Sequence, residues 1–194
     1  MKPLIKRAAQ FAAWAHASVN HRRKYTGQPY IVHPAEVALL VQRHSMHTPE
    51  MVAVAWLHDV LEDTPVPYAQ LRQEFGEPIA NMVDELTEKP PVVPANRATR
   101  KAAEALRLAG VSHSAKVVKL ADLLSNSRSI VRHDPKFAQV YLREKAHLLA
   151  QALYLPEQPL WQQAWEVLMK NMPQQDIGTN TSQPLAPFGA KLAR

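Results

Sequence analysis

The sequence predicts an all-α domain, a bundle of about nine helices, and three observations carry that prediction. Only three glycines, Gly27, Gly76 and Gly110, fall within the first 170 of the 194 residues. Apolar residues along that stretch recur mostly at three- and four-residue spacings, the period of one helix face, rather than alternating as a half-buried strand requires. Prolines stand where helices can begin, at Pro34, Pro49 and Pro135, or together where one must stop, at Pro65 and Pro67.

Residues 4–19 read as an amphipathic helix, and residues 20–32 break the period with a basic run, Gly27 and Pro29, as a loop does. Pro34 suits a first helical position, where its missing N–H is not needed, so a second helix runs from residue 33 or 34 to about 45 with His33 at its cap. Thr48 as cap and Pro49 at the first position start a third helix that continues through Met51 and Trp56 to about Asp63. Further helices are expected at 67–75, 77–88, 95–109, 115–130, 135–154 and 158–171, the 135–154 helix started by Asp134 and Pro135. Pro90, Pro91 and Pro94 make residues 89–96 a stiff non-helical connector. Residues 172–194, rich in Pro, Gly, Ser, Thr and Asn, are expected to form a mobile tail, leaving residues 1–171 as one domain.

Composition narrows the chemistry. The chain has no cysteine, so disulfides, thiolate metal sites and cysteine nucleophiles are excluded together, and any metal binds through His, Asp or Glu. The first twenty residues are interrupted by Lys6, Arg7, Gln10 and His16, unlike a signal peptide or membrane span, and a cytoplasmic protein without a membrane partner is expected. A net charge of +6 favours anionic partners. No dinucleotide fingerprint or phosphate-cradling glycine loop is present, so phosphate must be held by side chains or by metal.

The segment from Trp56 to Thr64 is the richest in chemistry, because His58, Asp59, Glu62 and Asp63 interrupt an otherwise apolar helix. Helical spacing sets Glu62 one turn above His58 and Asp59, and Asp63 one turn above Asp59, so all four border one face. Three crowded carboxylates repel one another, and a divalent cation beside neutral imidazole relieves that repulsion. The competing reading is a solvated acidic helix end that carries a histidine. Asp122 stands in an apolar run where an unpaired carboxylate is costly, so something cationic should face it. Lys119, three residues earlier, is one candidate and a metal is the other.

The order His33, then His58-Asp59, then Asp122 resembles the ligand order of the HD-domain metal-dependent phosphohydrolases. More narrowly, residues 27–34 (Gly-Gln-Pro-Tyr-Ile-Val-His-Pro), residues 57–64, Phe75-Gly76, and residues 118–122 with Asn126 and Arg128 resemble the hydrolase domain of RelA/SpoT proteins. In size the chain is similar to the stand-alone small alarmone hydrolases of that family, the metazoan SpoT homologues among them. The resemblance covers about residues 4–155. It implies a helical HD fold, one divalent ion, typically manganese, and removal of pyrophosphate from the 3′ position of guanosine tetraphosphate or pentaphosphate (ppGpp, pppGpp). By the same resemblance His33, His58, Asp59 and Asp122 are the metal ligands, and Glu62 and Asp63 handle the attacking water. Arg23, Lys24, Asn126 and Arg128 are the substrate-binding residues it implies.

Those roles agree with elementary chemistry. A metal acidifies water, Glu62 or Asp63 can orient or deprotonate it, and Arg23 and Lys24 can neutralise phosphoryl charge, although a run such as Arg22-Arg23-Lys24 is equally a solvated surface patch. The sequence departs from the family pattern at Gln28, Leu123 and Ser125, where a glutamate, a basic residue and a larger ring are common. Alarmone synthesis is not expected from 194 residues. The alternatives are another HD-type nucleotide phosphohydrolase, including one acting on adenosine analogues (ppApp, pppApp), and a non-catalytic nucleotide-binding module. No nucleic-acid partner is expected, since the tryptophans are spaced for helix packing rather than interleaved with basic residues.

Overall fold

Helices account for nearly all regular structure in the computed structural model of the protein, which describes residues 3–43, 46–89 and 96–172. In chain order they are α1 (Pro3–Ser18), α2 (Val32–Gln42), α3 (Pro49–Leu57), α4 (Val60–Asp63), α5 (Tyr68–Phe75), α6 (Glu77–Leu86), α7 (Arg97–Ala109), α8 (His113–His133), α9 (Pro135–Gln151) and α10 (Pro159–Asn171). Among the described residues there is no strand, only an isolated antiparallel bridge between Arg22 and Pro29. No helix among them is long and apolar enough to cross a membrane. The proline-rich connector and the tail lie outside the described residues, apart from Lys89, Asn96 and Met172.

Start signals work where a side chain replaces a missing ladder partner. Thr48 Oγ1 accepts the Met51 N–H at 3.3 Å, Asn96 Oδ1 accepts that of Thr99 at 2.9 Å, and Asp134 Oδ1 accepts that of Phe137 at 3.1 Å. Two boundaries correct the sequence reading. The expected cap at His33 is not one: α2 begins at Val32, Ile31 already has helical dihedrals, and His33 is buried inside the first turn. The single helix expected over 49–63 is two, α3 and α4, and this is the tenth helix. Its ladder is cut at the His58–Asp59 step, where Asp59 sits at φ −99° and ψ 0°. The cause is local. His58 Nδ1 lies 2.8 Å from the Ala55 carbonyl, the acceptor that a continuing ladder would offer to the Asp59 N–H.

Two compact units divide the chain. The first comprises 1–88 and 111–125, hence α1 to α6 and the first half of α8. There α3 is packed by α1, α2 and α6. Met51, Val52, Ala53, Val54, Ala55 and Leu57 are all buried, so α3 is apolar on every side as a central helix must be. The second unit comprises 89–110 and 126–194 and carries α7, the rest of α8, α9 and α10. Within it α9 packs on α10 and on α7, where Arg97 holds Glu144 through two bonds of 2.7 and 2.9 Å. Trp161 and Trp165 stack at 5.3 Å, and the Trp161 indole N–H donates to the Leu149 carbonyl.

Candidate metal centre

The loop between α1 and α2 is shaped by one glycine and three main-chain bonds. Gly27 sits at φ +66°, a left-handed conformation that other residues adopt only with strain. That turn lets the Gly27 N–H reach the Arg23 carbonyl, the Arg23 N–H reach Gln28, and the Tyr30 N–H return to His21. Arg23 and Lys24 occupy the turn, their cationic groups over the rings of Tyr30 and Tyr25 at 5.7 and 5.1 Å. His21 stacks on Tyr30 with centroids 3.7 Å apart. Below them, burial lowers the His16 pKa to about 4, so this imidazole is neutral.

Tyr30 ties the loop to the histidines. Its hydroxyl donates to Asp59 Oδ2 at 2.6 Å, and burial together with the Asp59 charge raises its pKa, keeping it a neutral donor. The same Asp59 oxygen is 3.0 Å from His58 Nε2 and 3.7 Å from His33 Nε2. From α8, Asp122 Oδ1 is 3.2 Å from His33 Nε2 and 3.8 Å from His58 Nε2. Of the two cationic partners the sequence offers Asp122, Lys119 is in place, its ammonium donating to the other oxygen, Oδ2, at 2.8 Å. The four side chains His33, His58, Asp59 and Asp122 thus converge from α2, the α3–α4 break and α8.

Does this set suit a cation? A carbonyl only accepts, so the bond to Ala55 places the His58 proton on Nδ1 and leaves Nε2 as a lone pair. His33 Nδ1 is likewise engaged, by Ser125 Oγ at 3.0 Å. Both Nε2 atoms are buried, face carboxylates, and make no well-formed hydrogen bond. Ligating atoms of His33, His58 and Asp59 lie within 4.8 Å of one another. Without a cation, the carboxylates pull a proton onto His58. Burial opposes its charge, yet Asp59 and Asp122 push its pKa up to about 10. The same pairing holds Asp59 well below the usual carboxylate range, against the opposing effect of burial. Two buried imidazole nitrogens and two carboxylates that demand a positive charge are a donor set for a divalent ion.

The acid pair stands on α4. Glu62 Oε2 accepts the Glu88 N–H at 3.0 Å, and Asp63 Oδ2 is 3.8 Å from His21 Nδ1. Burial raises both pKa values, that of Asp63 to about 6 with help from the Asp59 and Glu62 charges. Asn126 and Arg128 lie on α8 just past Ser125 and belong to the second unit, Asn126 half-buried and Arg128 exposed. Sequence reasoning gave no role to Tyr30, Glu36 or Ser125. Each stands three residues from an expected ligand (Tyr30 before His33, Glu36 after it, Ser125 after Asp122), and that spacing was the available signal.

Residues 8–151 match the profile of the HD-domain family. The chain belongs to that family. Within it the chain is MESH1-like: it is 34% identical over 134 residues to the guanosine-3′,5′-bis(diphosphate) 3′-pyrophosphohydrolase MESH1 of Danio rerio, covering 69% of this chain and 72% of that one. A probable guanosine-3′,5′-bis(diphosphate) 3′-pyrophosphohydrolase of Synechocystis is 33% identical over 168 residues, which are 84% of this chain but 21% of that longer protein. Among solved structures, a metazoan orthologue of SpoT that hydrolyses ppGpp superposes with a TM-score of 0.75 at 25% identity, covering 88% of this chain and 96% of that one. The HD-domain fold and its His/Asp cluster together imply a divalent metal.

Proposed function

We propose that this HD-domain chain removes the 3′-pyrophosphate of ppGpp and pppGpp, giving GDP or GTP and pyrophosphate, with manganese in the centre, and so ends an alarmone signal. The cluster of buried His33, His58 and Asp122 with half-buried Asp59, in a chain one-third identical to MESH1, carries this reading. When bound, the divalent ion supplies a Lewis acid that polarises phosphoryl oxygen and acidifies water.

The remaining work falls to side chains. Asp63, with its pKa raised to about 6, is ionised at neutral pH yet basic enough to take a proton from water, while Glu62, tied to the Glu88 N–H, orients it. The water oxygen bonds to the phosphorus next to the ribose 3′ oxygen, that P–O bond breaks, and the ribose oxygen takes up a proton. Tyr30 holds Asp59 in register throughout. Arg23 and Lys24 capture the polyanion, with Asn126 and Arg128 as further substrate contacts.

The direct test is incubation of the purified protein with ppGpp, with and without manganese, and separation of the products by anion exchange. GDP and pyrophosphate are expected only with the ion, and turnover that survives a chelator would overturn the reading. The loop makes a separate prediction. The double substitution Arg23→Ala, Lys24→Ala should raise KM and flatten its salt dependence while leaving metal content unchanged, because salt screens half-buried Arg23 and exposed Lys24, charges that bind rather than react. Wild-type kinetics at both low and high salt would make this run a solvated face.

A further inference from the structure

We propose that Glu36 and Ser125 form a relay that fixes the tautomer of His33 and thereby sets how tightly the centre holds its cation. This rests on the reading of His33 as a ligand. Both are positioning residues, since they act through the imidazole and not on substrate.

The relay is read from hydrogen counting. Ser125 is buried on α8, and its Oγ lies 3.0 Å from His33 Nδ1 and 2.9 Å from Glu36 Oε2 on α2. A hydroxyl has one hydrogen to give, and an ionised carboxylate can only accept. Ser125 therefore donates to Glu36 and has only lone pairs left for His33. The imidazole must then carry its proton on Nδ1, and Nε2 is left as a lone pair aimed at Asp59 and Asp122. Charge runs the same way: a carboxylate at the far end of a hydrogen-bond chain makes the near imidazole a better donor to metal.

Remove the carboxylate and the hydroxyl is released. It can rotate to donate to Nδ1, which favours the opposite tautomer, with a proton on Nε2 between the two carboxylates where the cation would sit. His58 does not face this ambiguity, because its Nδ1 meets a main-chain carbonyl that cannot donate. The two imidazoles thus reach the same tautomer by different means, and that of His33 alone depends on side chains. The obvious alternative is that Glu36–Ser125–His33 merely ties α2 to α8.

Manganese affinity of the full chain, measured by calorimetry or by electron paramagnetic resonance of free Mn2+, separates the two. Ser125→Ala and Glu36→Ala should each raise the Kd for Mn2+ by about tenfold or more, within the range of roughly 10–100-fold for groups that orient a metal-bound histidine. The double variant should be little worse than either single one, because each breaks the same chain. Ser125→Thr, which keeps the hydroxyl, should restore wild-type affinity. A Kd within twofold of wild type in both alanine variants, with a lowered urea midpoint, would overturn the relay and leave only a tie between helices. Should Ser125→Ala not fold, Glu36→Ala and Ser125→Thr decide alone. His33→Ala is the control for the underlying reading. Loss of Mn2+ there, with intact affinity in Glu36→Ala and Ser125→Ala, refutes the relay alone, whereas retention of Mn2+ in His33→Ala refutes the ligand assignment as well.

Discussion

Asp59→Ala is expected to purify without stoichiometric metal and to lose ppGpp turnover by about 10³-fold or more. Several kcal/mol of transition-state charge stabilisation depend on the ion, and each 1.36 kcal/mol is a factor of ten. The loss is severe because three neighbours share one carboxylate. Asp59 Oδ2 lies against Tyr30, His58 and His33, and its removal leaves the Tyr30 hydroxyl without its acceptor and both imidazoles facing Asp122 alone. His58→Ala should match it. Metal analysis after dialysis, alongside the turnover assay, checks both variants, and a variant that kept one ion per chain would remove that residue from the ligand set.

Glu62→Gln separates holding the ion from using it. Glutamine keeps an oxygen for the Glu88 N–H, so the fold and the metal should be retained while turnover falls roughly 10²-fold or more, because the neutral amide no longer orients the water as a charged acceptor for the Asp63 base. Asp63→Asn should behave alike and also alter the pH profile. A general base works deprotonated, so the rate rises with pH through the base's pKa and then levels. Burial and the Asp59 and Glu62 charges push the Asp63 carboxyl up to about 6, and a nearby cation can only lower that value, which puts the acidic limb at or below pH 6. That limb should vanish in Asp63→Asn. Unchanged turnover in both variants would hand the water to another group.

What the sequence could disclose follows from what each signal measures. Period and punctuation report which residues need burial and where the ladder lacks partners, so the helical class, the Thr48 and Asp134 caps and the stop at Pro65 were all legible. The four expected ligands could be picked out by type and order, and they do converge. Neither signal sees a side chain competing for a main-chain acceptor, so period and spacing run one helix through the His58–Asp59 break and set Glu62 and Asp63 on a rod continuous with the histidine. Asp122 had two rival partners on paper, and its two oxygens divide between Lys119 on one side and the histidines His33 and His58 on the other. Glu36 and Ser125 lie 89 residues apart, and only the hydrogen bond between them in the folded chain gives that pair a meaning.

The break also separates two functions along the chain. His58 is held from α3, whereas Glu62 and Asp63 ride on the four residues of α4. A descendant that exchanged those two acids would keep its caps, its buried α3 and its cation, and would go on capturing nucleotide without consuming it. An enzyme that erases a signal and a receptor that reports it are, in this architecture, two substitutions apart, and selection can make that journey without passing through an unfolded intermediate.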